Sequence, residues 1–122
     1  RELQRALLAQ DLDAYMVYVA DDVISNPQMH SEVIGAKAFR QSMEDDIRRG
    51  IKFRTFNFNI LDCWQCDGKI YEVSTFSFSI TSPNSPKPWV ANGKSFNVWR
   101  VEPDGSLKIE YTIFNTDSYP GS

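Results

Sequence analysis

The chain has 122 residues, of which 42% are hydrophobic and 13% aromatic, so it is long enough to bury an apolar core as one domain. Its 13 basic and 16 acidic side chains leave a formal net charge of −3, which gives no support for nucleic acid or an anionic membrane surface as a partner. No apolar run approaches the roughly 20 residues of a transmembrane helix, so we predict a single domain, residues 1–122, in the cytoplasm. The chain starts at Arg1 without a methionine, so removal of an upstream segment stays open.

The first part of the chain is predicted to be helical. Apolar residues keep helical spacing from Leu3 to Leu7, and Asp11 is a suitable N-cap for a second helix whose apolar stripe runs through Val19. Ala20-Asp21-Asp22 is then interpreted as the end of that helix, followed by a short strand at Val23-Ile24-Ser25. Acidic residues at a helix C-terminus oppose the helix dipole, so we expect this acidic pair to have a structural or surface role.

The middle of the chain changes from helical to strand spacing. After Gly35, apolar residues at helical spacing through Ile47 predict a third helix, which Gly50 ends. From Ile51 onward the apolar residues alternate with a period of two, which is typical of strands. Four strands are predicted, at Phe53–Leu61, Ile70–Thr81, Trp89–Val101 and Leu107–Asn115.

Two proline-containing segments separate the later strands. The segment Ser82–Pro88 contains three prolines, and we predict that it forms a loop that cannot join the sheet. Pro103-Asp104-Gly105 is predicted to be the turn between the last two strands.

The two cysteines form a lone C-x-x-C motif, Cys63-Trp64-Gln65-Cys66. A structural zinc site needs four ligands, and the sequence offers no second cysteine pair and only one histidine, His30. A redox dithiol normally opens a helix, whereas this motif precedes the turn signal Asp67-Gly68. We therefore expect two reduced cysteines beside a turn and no metal site.

Helices followed by long strands predict an α+β fold. Because the helices are too few to cover both faces of a sheet, we expect N-terminal helices packed in the concave face of a curved, mostly antiparallel sheet. This arrangement leaves a hollow between the helices and the concave face, and a ligand site is expected there.

Strict alternation along the strands divides the predicted sheet into two faces. The side chains predicted to line the hollow are Glu72, Ser74, Phe76, Phe78, Ser95, Asn97, Trp99, Glu110, Thr112 and Phe114. The opposite face of the fourth strand is also apolar, with Ile109, Tyr111 and Ile113. A face in water is normally polar, so either a second subunit covers this one or the two faces are exchanged on that strand.

Several short motifs follow one another at the spacing of a known superfamily. They are Asp11-Leu12-Asp13 with Ala20-Asp21-Asp22-Val23, the helix after Gly35, Tyr71-Glu72-Val73, Gly93–Arg100 and Pro103–Ile109. In this order they resemble the nuclear transport factor 2-like superfamily, especially its SnoaL-like and ketosteroid-isomerase-like branches. The resemblance covers nearly the whole chain. It implies a cone-shaped α+β barrel with a pocket in the wide end, usually paired into homodimers through the sheet.

The resemblance also implies where steroid isomerase machinery would lie, and this chain departs from it at each position. The general base, an aspartate before a proline, corresponds to Asn26 before Pro27, after a gap that is one residue shorter. The two oxyanion donors fall near Leu3 and Ser95. An asparagine cannot take a proton at neutral pH, and a serine can give only one hydrogen bond. We therefore do not expect steroid-type isomerisation.

Glu72, Tyr15 and His30 are the candidate catalytic residues, and Tyr18 is a further candidate ligand contact. A carboxylate in an apolar hollow can act as an acid or base, although pairing of Glu72 or Glu110 with Lys94 or an arginine stays open for each of them. Tyr15 and Tyr18 are three residues apart, so one of them can point inward, with ordinary core packing as the alternative. His30 lies in a loop that borders the pocket in the implied fold, or it is exposed and idle.

Two functions of different classes remain. The first is a pocket protein for a small apolar or ring-shaped ligand, with cofactor-free lyase, isomerase or cyclase chemistry; no phosphate loop, triad or metal motif is present in the sequence. The second is a homo-oligomerisation module with a vestigial pocket, assembled through Ile109, Tyr111 and Ile113.

Overall fold

A computed structural model describes residues 2–28 and 30–117, apart from the side chains of Ser85 and Pro86. Arg1, Met29 and residues 118–122 of the predicted domain lie outside this described part. The helices are α1 (Glu2–Ala9), α2 (Leu12–Met16) and α3 (Ala36–Arg48). The strands are β1 (Val19–Asn26), β2 (Val33–Ile34), β3 (Lys52–Cys66), β4 (Lys69–Ser82), β5 (Ser85–Val101) and β6 (Leu107–Thr116).

The strands form one curved sheet in the order β2-β1-β6-β5-β4-β3. All neighbours are antiparallel except β1 and β6, which are parallel. The helix α1 packs against β3, and α3 packs against β1. The predicted α+β class, with N-terminal helices on a mostly antiparallel curved sheet, is therefore confirmed. No helix within the described residues is long and apolar enough to span a bilayer.

Both predicted helix starts are confirmed, but the end of the second helix was wrong. The Asp11 side chain caps α2 by accepting a hydrogen bond from the Ala14 N–H at 3.1 Å, and α3 follows Gly35 as expected. The helix α2 ends at Met16, and Ala20-Asp21-Asp22 belongs to β1. The competing interaction is strand pairing: the Ile109 N–H donates to the Tyr18 carbonyl at 2.7 Å and draws the chain into the sheet. Val19 and Ala20 are buried as a result.

The β3–β4 hairpin turns at Asp67 and Gly68, as predicted. Their φ angles of 51° and 74° are the positive values that a two-residue hairpin turn needs. The loop predicted at Ser82–Pro88 was wrong, because Ser82 pairs with Ser85 and β5 begins there. The strand β6 pairs with β5 only from Gly93 onward, so the first part of β5 has a free edge, where proline is tolerated.

The densest part of the core is a cluster of aromatic side chains on the concave face. Phe76, Phe78 and Ala91 are buried there. The rings of Phe76 and Phe78 lie 5.8 Å apart and are nearly parallel. The half-buried residues packed around them are Phe53, Phe56, Ile80, Trp89 and Phe114. We refer to these eight residues as the aromatic cluster.

One β-bulge changes the predicted faces of β6. Val98 pairs with Tyr111 and Trp99 pairs with Ile109, so Glu110 is the extra residue. Ile109 therefore shares the concave face with Trp99, and its predicted position on the outer face was wrong. Glu110 was predicted in the hollow but contacts outer-face cations instead, with its carboxylate 3.1 Å from Lys69 Nζ and 3.3 Å from Arg100 Nη2.

Candidate functional site

A row of polar side chains crosses the concave face. The strand register places one residue from each of five neighbouring strands in this row. Its members, from β3 to β1, are Cys63, Glu72, Asn97, Thr112 and Ser25, and we refer to them as the polar row. Ser74 and Ser95 form the next pair toward the aromatic cluster.

Asn97 is the centre of the hydrogen bonds in the polar row, and only 6% of its surface is exposed. The Thr112 hydroxyl donates to Asn97 Oδ1 at 2.6 Å, which turns the amide nitrogen toward β4. Asn97 Nδ2 then donates to Glu72 Oε1 at 2.8 Å and to Ser95 Oγ at 3.4 Å. Asn97 thus positions Glu72, a role that differs from the predicted direct contact with a ligand.

The two serines beside the polar row share a hydrogen bond of 2.7 Å. Ser74 is fully buried, and Ser95 is its only side-chain partner among the described residues. Either hydroxyl can be the donor in this hydrogen bond, and Ser95 Oγ also accepts from Asn97 Nδ2. When Ser74 is the donor, the hydroxyl hydrogen of half-buried Ser95 is free to point into the concave face.

Glu72 holds a carboxylate on the concave face without a cation. No salt bridge joins Glu72 to any described Lys, Arg or His, so the alternative pairing with Lys94 is wrong; Lys94 pairs with Asp117 at 3.1 Å. The hydrogen bond from Asn97 uses one carboxylate oxygen. The other oxygen has no partner in the described part of the chain and can accept a proton or a hydrogen bond from a ligand.

Apolar groups border the polar row on both sides. The aromatic cluster lies beyond Ser74 and Ser95, and Phe114 packs edge-on against Phe76 with ring centres 6.1 Å apart. On the other side the register forms a second apolar row from Ile70, Trp99 and Ile109. This arrangement suits a ligand with a polar group beside apolar or ring-shaped parts.

The concave face is open along the edge strand β3. Ile60, which pairs with Ser74, is 57% exposed, and Cys63 is also exposed. Two open depressions lie elsewhere: one between α2 and α3 around Arg40, and one around Arg100 and Lys108. Neither is lined by the polar row, so an enclosed pocket at Glu72 stays a prediction.

The other two predicted catalytic residues are not joined to the polar row by any contact in the described residues. Tyr15 stacks on Phe39 of α3, with ring centres 6.2 Å apart. Burial raises the pKa of Tyr15 to about 12, so its hydroxyl can donate a hydrogen bond but is no base at neutral pH. His30 is exposed and lies 2.9 Å from the Ser31 carbonyl through Nδ1. Tyr18 is half-buried, and its described hydrogen bonds are through its backbone N–H, to the Tyr15 carbonyl, and its backbone carbonyl.

Asn26 lies on the outer face of the sheet. Its amide donates to the Tyr111 hydroxyl at 2.9 Å, and Tyr111 lies opposite the concave Thr112 in the alternation of β6. Asp22 lies nearby and pairs with Arg100 at 3.0 Å, an ion pair that lowers the pKa of Asp22. The structural or surface role expected for the acidic pair agrees with this position.

The strand register separates the two cysteines. Cys63 pairs with Glu72 on the concave face, whereas Cys66 pairs with Lys69 on the outer face. Both thiols are free, and the described residues contain no group of three or more acidic, histidine or cysteine side chains that could hold a metal ion. The predicted strand stopped at Leu61 and so missed Cys63 as part of the concave face. Pairing the two strands residue by residue outward from the Asp67-Gly68 turn would have placed Cys63 opposite Glu72.

Fold and site together describe a cone-shaped α+β domain with a polar row on its concave face. No family model matches the chain, and no curated protein matches it. Solved structures do match. A ketosteroid isomerase-like protein from Erwinia carotovora atroseptica is 13% identical, with a TM-score of 0.85 over 97% of this chain and 90% of that one.

Two further structures show the same fold. An NTF2-like protein from Cytophaga hutchinsonii is 11% identical, with a TM-score of 0.77 over 94% of this chain and 89% of that one. A putative calcium/calmodulin-dependent protein kinase type II association domain from Thiobacillus denitrificans is 15% identical, with a TM-score of 0.74 over 96% of this chain and 90% of that one. The chain therefore has the nuclear transport factor 2-like fold, as its motifs predicted. At sequence identities this low, the likeness shows a shared fold and no shared activity.

Proposed function

We propose that the protein binds a small apolar or ring-shaped molecule on its concave face. The observation that carries this proposal is the position of Glu72, which Asn97 holds at 2.8 Å between the aromatic cluster and the row of Ile70, Trp99 and Ile109. A carboxylate with one free oxygen between apolar surfaces can orient a ligand by its polar group while the rings pack on either side.

The chemistry that these groups support is acid–base catalysis without a cofactor. Glu72 would take a proton from carbon next to a carbonyl group, and the Ser95 hydroxyl would donate to the carbonyl oxygen. This step is common to lyases, isomerases and cyclases that act on carbonyl compounds. The steroid-type reaction stays excluded, because Asn26 is no base and its side chain lies on the outer face.

Proton exchange on cyclic ketones tests this chemistry. We expect the wild-type protein to accelerate deuterium incorporation next to the carbonyl of at least one member of a ketone panel in D2O, followed by NMR. Glu72→Gln should lower that rate about 100-fold, because it removes the base and leaves the shape of the site. Glu102→Gln, which changes a half-buried carboxylate near the β5–β6 turn, should leave the rate unchanged. An equal rate in Glu72→Gln would exclude Glu72 as the base.

A second candidate function is homo-oligomerisation through the outer face of the sheet, with a vestigial pocket. Six neighbouring residues of four strands form an outer apolar patch: Trp64, Tyr71, Phe96, Val98, Tyr111 and Ile113. Trp64 and Tyr71 stack with ring centres 5.6 Å apart, and Ile113 is 43% exposed. Charged side chains border the patch at Arg100 and polar ones at Asn115. An apolar centre with a polar rim is the usual composition of a subunit interface.

A charge placed in the outer apolar patch tests this second function. We expect the wild-type chain to be a homodimer in sedimentation velocity at low micromolar concentration, and Ile113→Glu to raise the dimer dissociation constant on the order of 100-fold, because a carboxylate would be buried without a partner. Val90→Glu is the matched control, since Val90 is 68% exposed and lies outside the patch. A monomeric wild type, or a dimer unaffected by Ile113→Glu, would rule out assembly through this face.

A further inference from the structure

The polar row and the two pairs of strand positions beside it hold one carboxylate and no lysine or arginine among the described residues. Among the strand positions that the register assigns to this face, the ionisable side chains are Glu72 and the thiol of Cys63. Lys69, Lys94 and Arg100 pair at outer-face positions of the register and have acidic partners there. A ligand beside the polar row therefore meets a negative electrostatic potential.

Glu72 differs in its surroundings from three other half-buried carboxylates of the chain. Glu110 contacts both Lys69 and Arg100, and Glu44 is 3.6 Å from Arg40. Glu102 shares with Glu72 the lack of an ion pair, but it lines an open depression together with Arg100 and Lys108. A partly desolvated carboxylate gains most from a cation that binds beside it, and at Glu72 the described chain supplies none.

Trp99 offers a second group that attracts a cation. The register places Trp99 diagonally across from Glu72, a relation in which long and aromatic side chains reach one another. No other described ring stacks on the half-buried indole of Trp99, and no described side chain forms a hydrogen bond with it. A free indole face beside a carboxylate is a favourable environment for an ammonium group, because the ring quadrupole attracts positive charge.

We propose that the ligand of the concave face is a ring-bearing amine, bound as its cation with the ammonium group between Glu72 and Trp99. The ring then packs toward Phe114 and the aromatic cluster, and anionic compounds are disfavoured because Glu72 repels them and has no ion pair with a described cation. The inference rests on the proposed ligand site and adds the charge of the ligand.

Three probes of similar shape and different charge test this inference. They are the cation naphthylmethylamine, the neutral alcohol naphthylmethanol and the anion of naphthylacetic acid. Their dissociation constants are measured at neutral pH by NMR titration, with the backbone amides of Ser95, Trp99 and Thr112 and the indole N–H of Trp99 as reporters. We expect the amine to bind at least about tenfold more tightly than the alcohol and the acetate to shift none of these signals. Added salt should lower the affinity for the amine and leave the affinity for the alcohol unchanged.

Two variants show whether the preference comes from Glu72. Glu72→Gln should reduce the affinity for the amine to that for the alcohol, whereas Glu102→Gln should keep the difference. The wild-type comparison among the three probes decides the question even if Glu72→Gln does not fold. Equal or tighter binding of the alcohol would overturn the charge assignment and leave the ligand site in place. If none of the three probes shifts the NMR signals of these concave-face residues, both the proposed ligand site and the charge assigned to the ligand are wrong.

Discussion

Replacing Asn97 by aspartate is expected to make the stability of the protein fall steeply as the pH rises. In Asn97→Asp, a carboxylate oxygen replaces the amide nitrogen that lies 2.8 Å from Glu72 Oε1. Two carboxylates at this distance cannot both be charged, so the folded variant keeps one proton that the unfolded chain releases above about pH 5. Because the unfolded state then binds fewer protons, the free energy of unfolding decreases with increasing pH. The loss is about 1.4 kcal/mol per pH unit, or roughly 3 kcal/mol over two units.

Urea unfolding between pH 5 and 8 measures this effect, and two variants isolate its cause. Asn92→Asp adds the same charge to an exposed position of the same strand and should show no such slope. The double variant Glu72→Gln/Asn97→Asp exchanges the amide and the carboxylate, so a single hydrogen bond between them is restored and the slope should disappear. A flat pH profile for Asn97→Asp would mean that Glu72 and Asn97 are not in contact.

Gly93→Ala is the second change with a large expected effect. Gly93 lies in the middle of β5 opposite Phe76, and a Cβ atom there would lie 2.5 Å from the Phe76 ring and even closer to the Asn115 carbonyl. The ring can shift only into a filled aromatic cluster, and the carbonyl belongs to the paired backbone of β6. We expect Gly93→Ala to lower the free energy of unfolding by roughly 3 kcal/mol, measured by urea or thermal unfolding.

Two comparisons show whether the loss comes from overpacking. Asn92→Ala changes the preceding, exposed position and should cost little. Phe76→Leu added to Gly93→Ala removes part of the ring, so the double variant should lose less than the sum of the two single losses. A Gly93→Ala protein as stable as wild type would show that Phe76 does not pack over this backbone.

The fold could be predicted because its signals are local and periodic. Strand alternation assigned Ser74, Phe76 and Asn97 to one face, and the pairing of β4 with β5 places them there. The extent of β1 could not be predicted, because residues 19–22 join the sheet through a parallel partner about ninety residues later. Pairing at that distance has no sequence signal in either segment.

The candidate site was predicted in its residues but not in its contacts. Glu72, Asn97 and Thr112 were assigned to one face, yet the hydrogen bonds that make Asn97 a positioning residue depend on side-chain geometry. Glu110 was misplaced because a β-bulge reverses the alternation, and no sequence pattern marks a bulge there. For Tyr15 the stacking on Phe39 agrees with the alternative of ordinary core packing, because helical spacing alone does not say which neighbour a helix face packs on.

The place of β6 between β1 and β5 bears on how the chain folds during synthesis. Without β6, the sheet separates into a β2–β1 pair and a β5-β4-β3 meander with no strand between them. The ribosome releases β6 last among the described strands, so β1 gains its long-range partner only after the other described strands have been synthesised. Closing a loop of that length slows folding, and the nascent chain carries two unfinished sheet edges until it does.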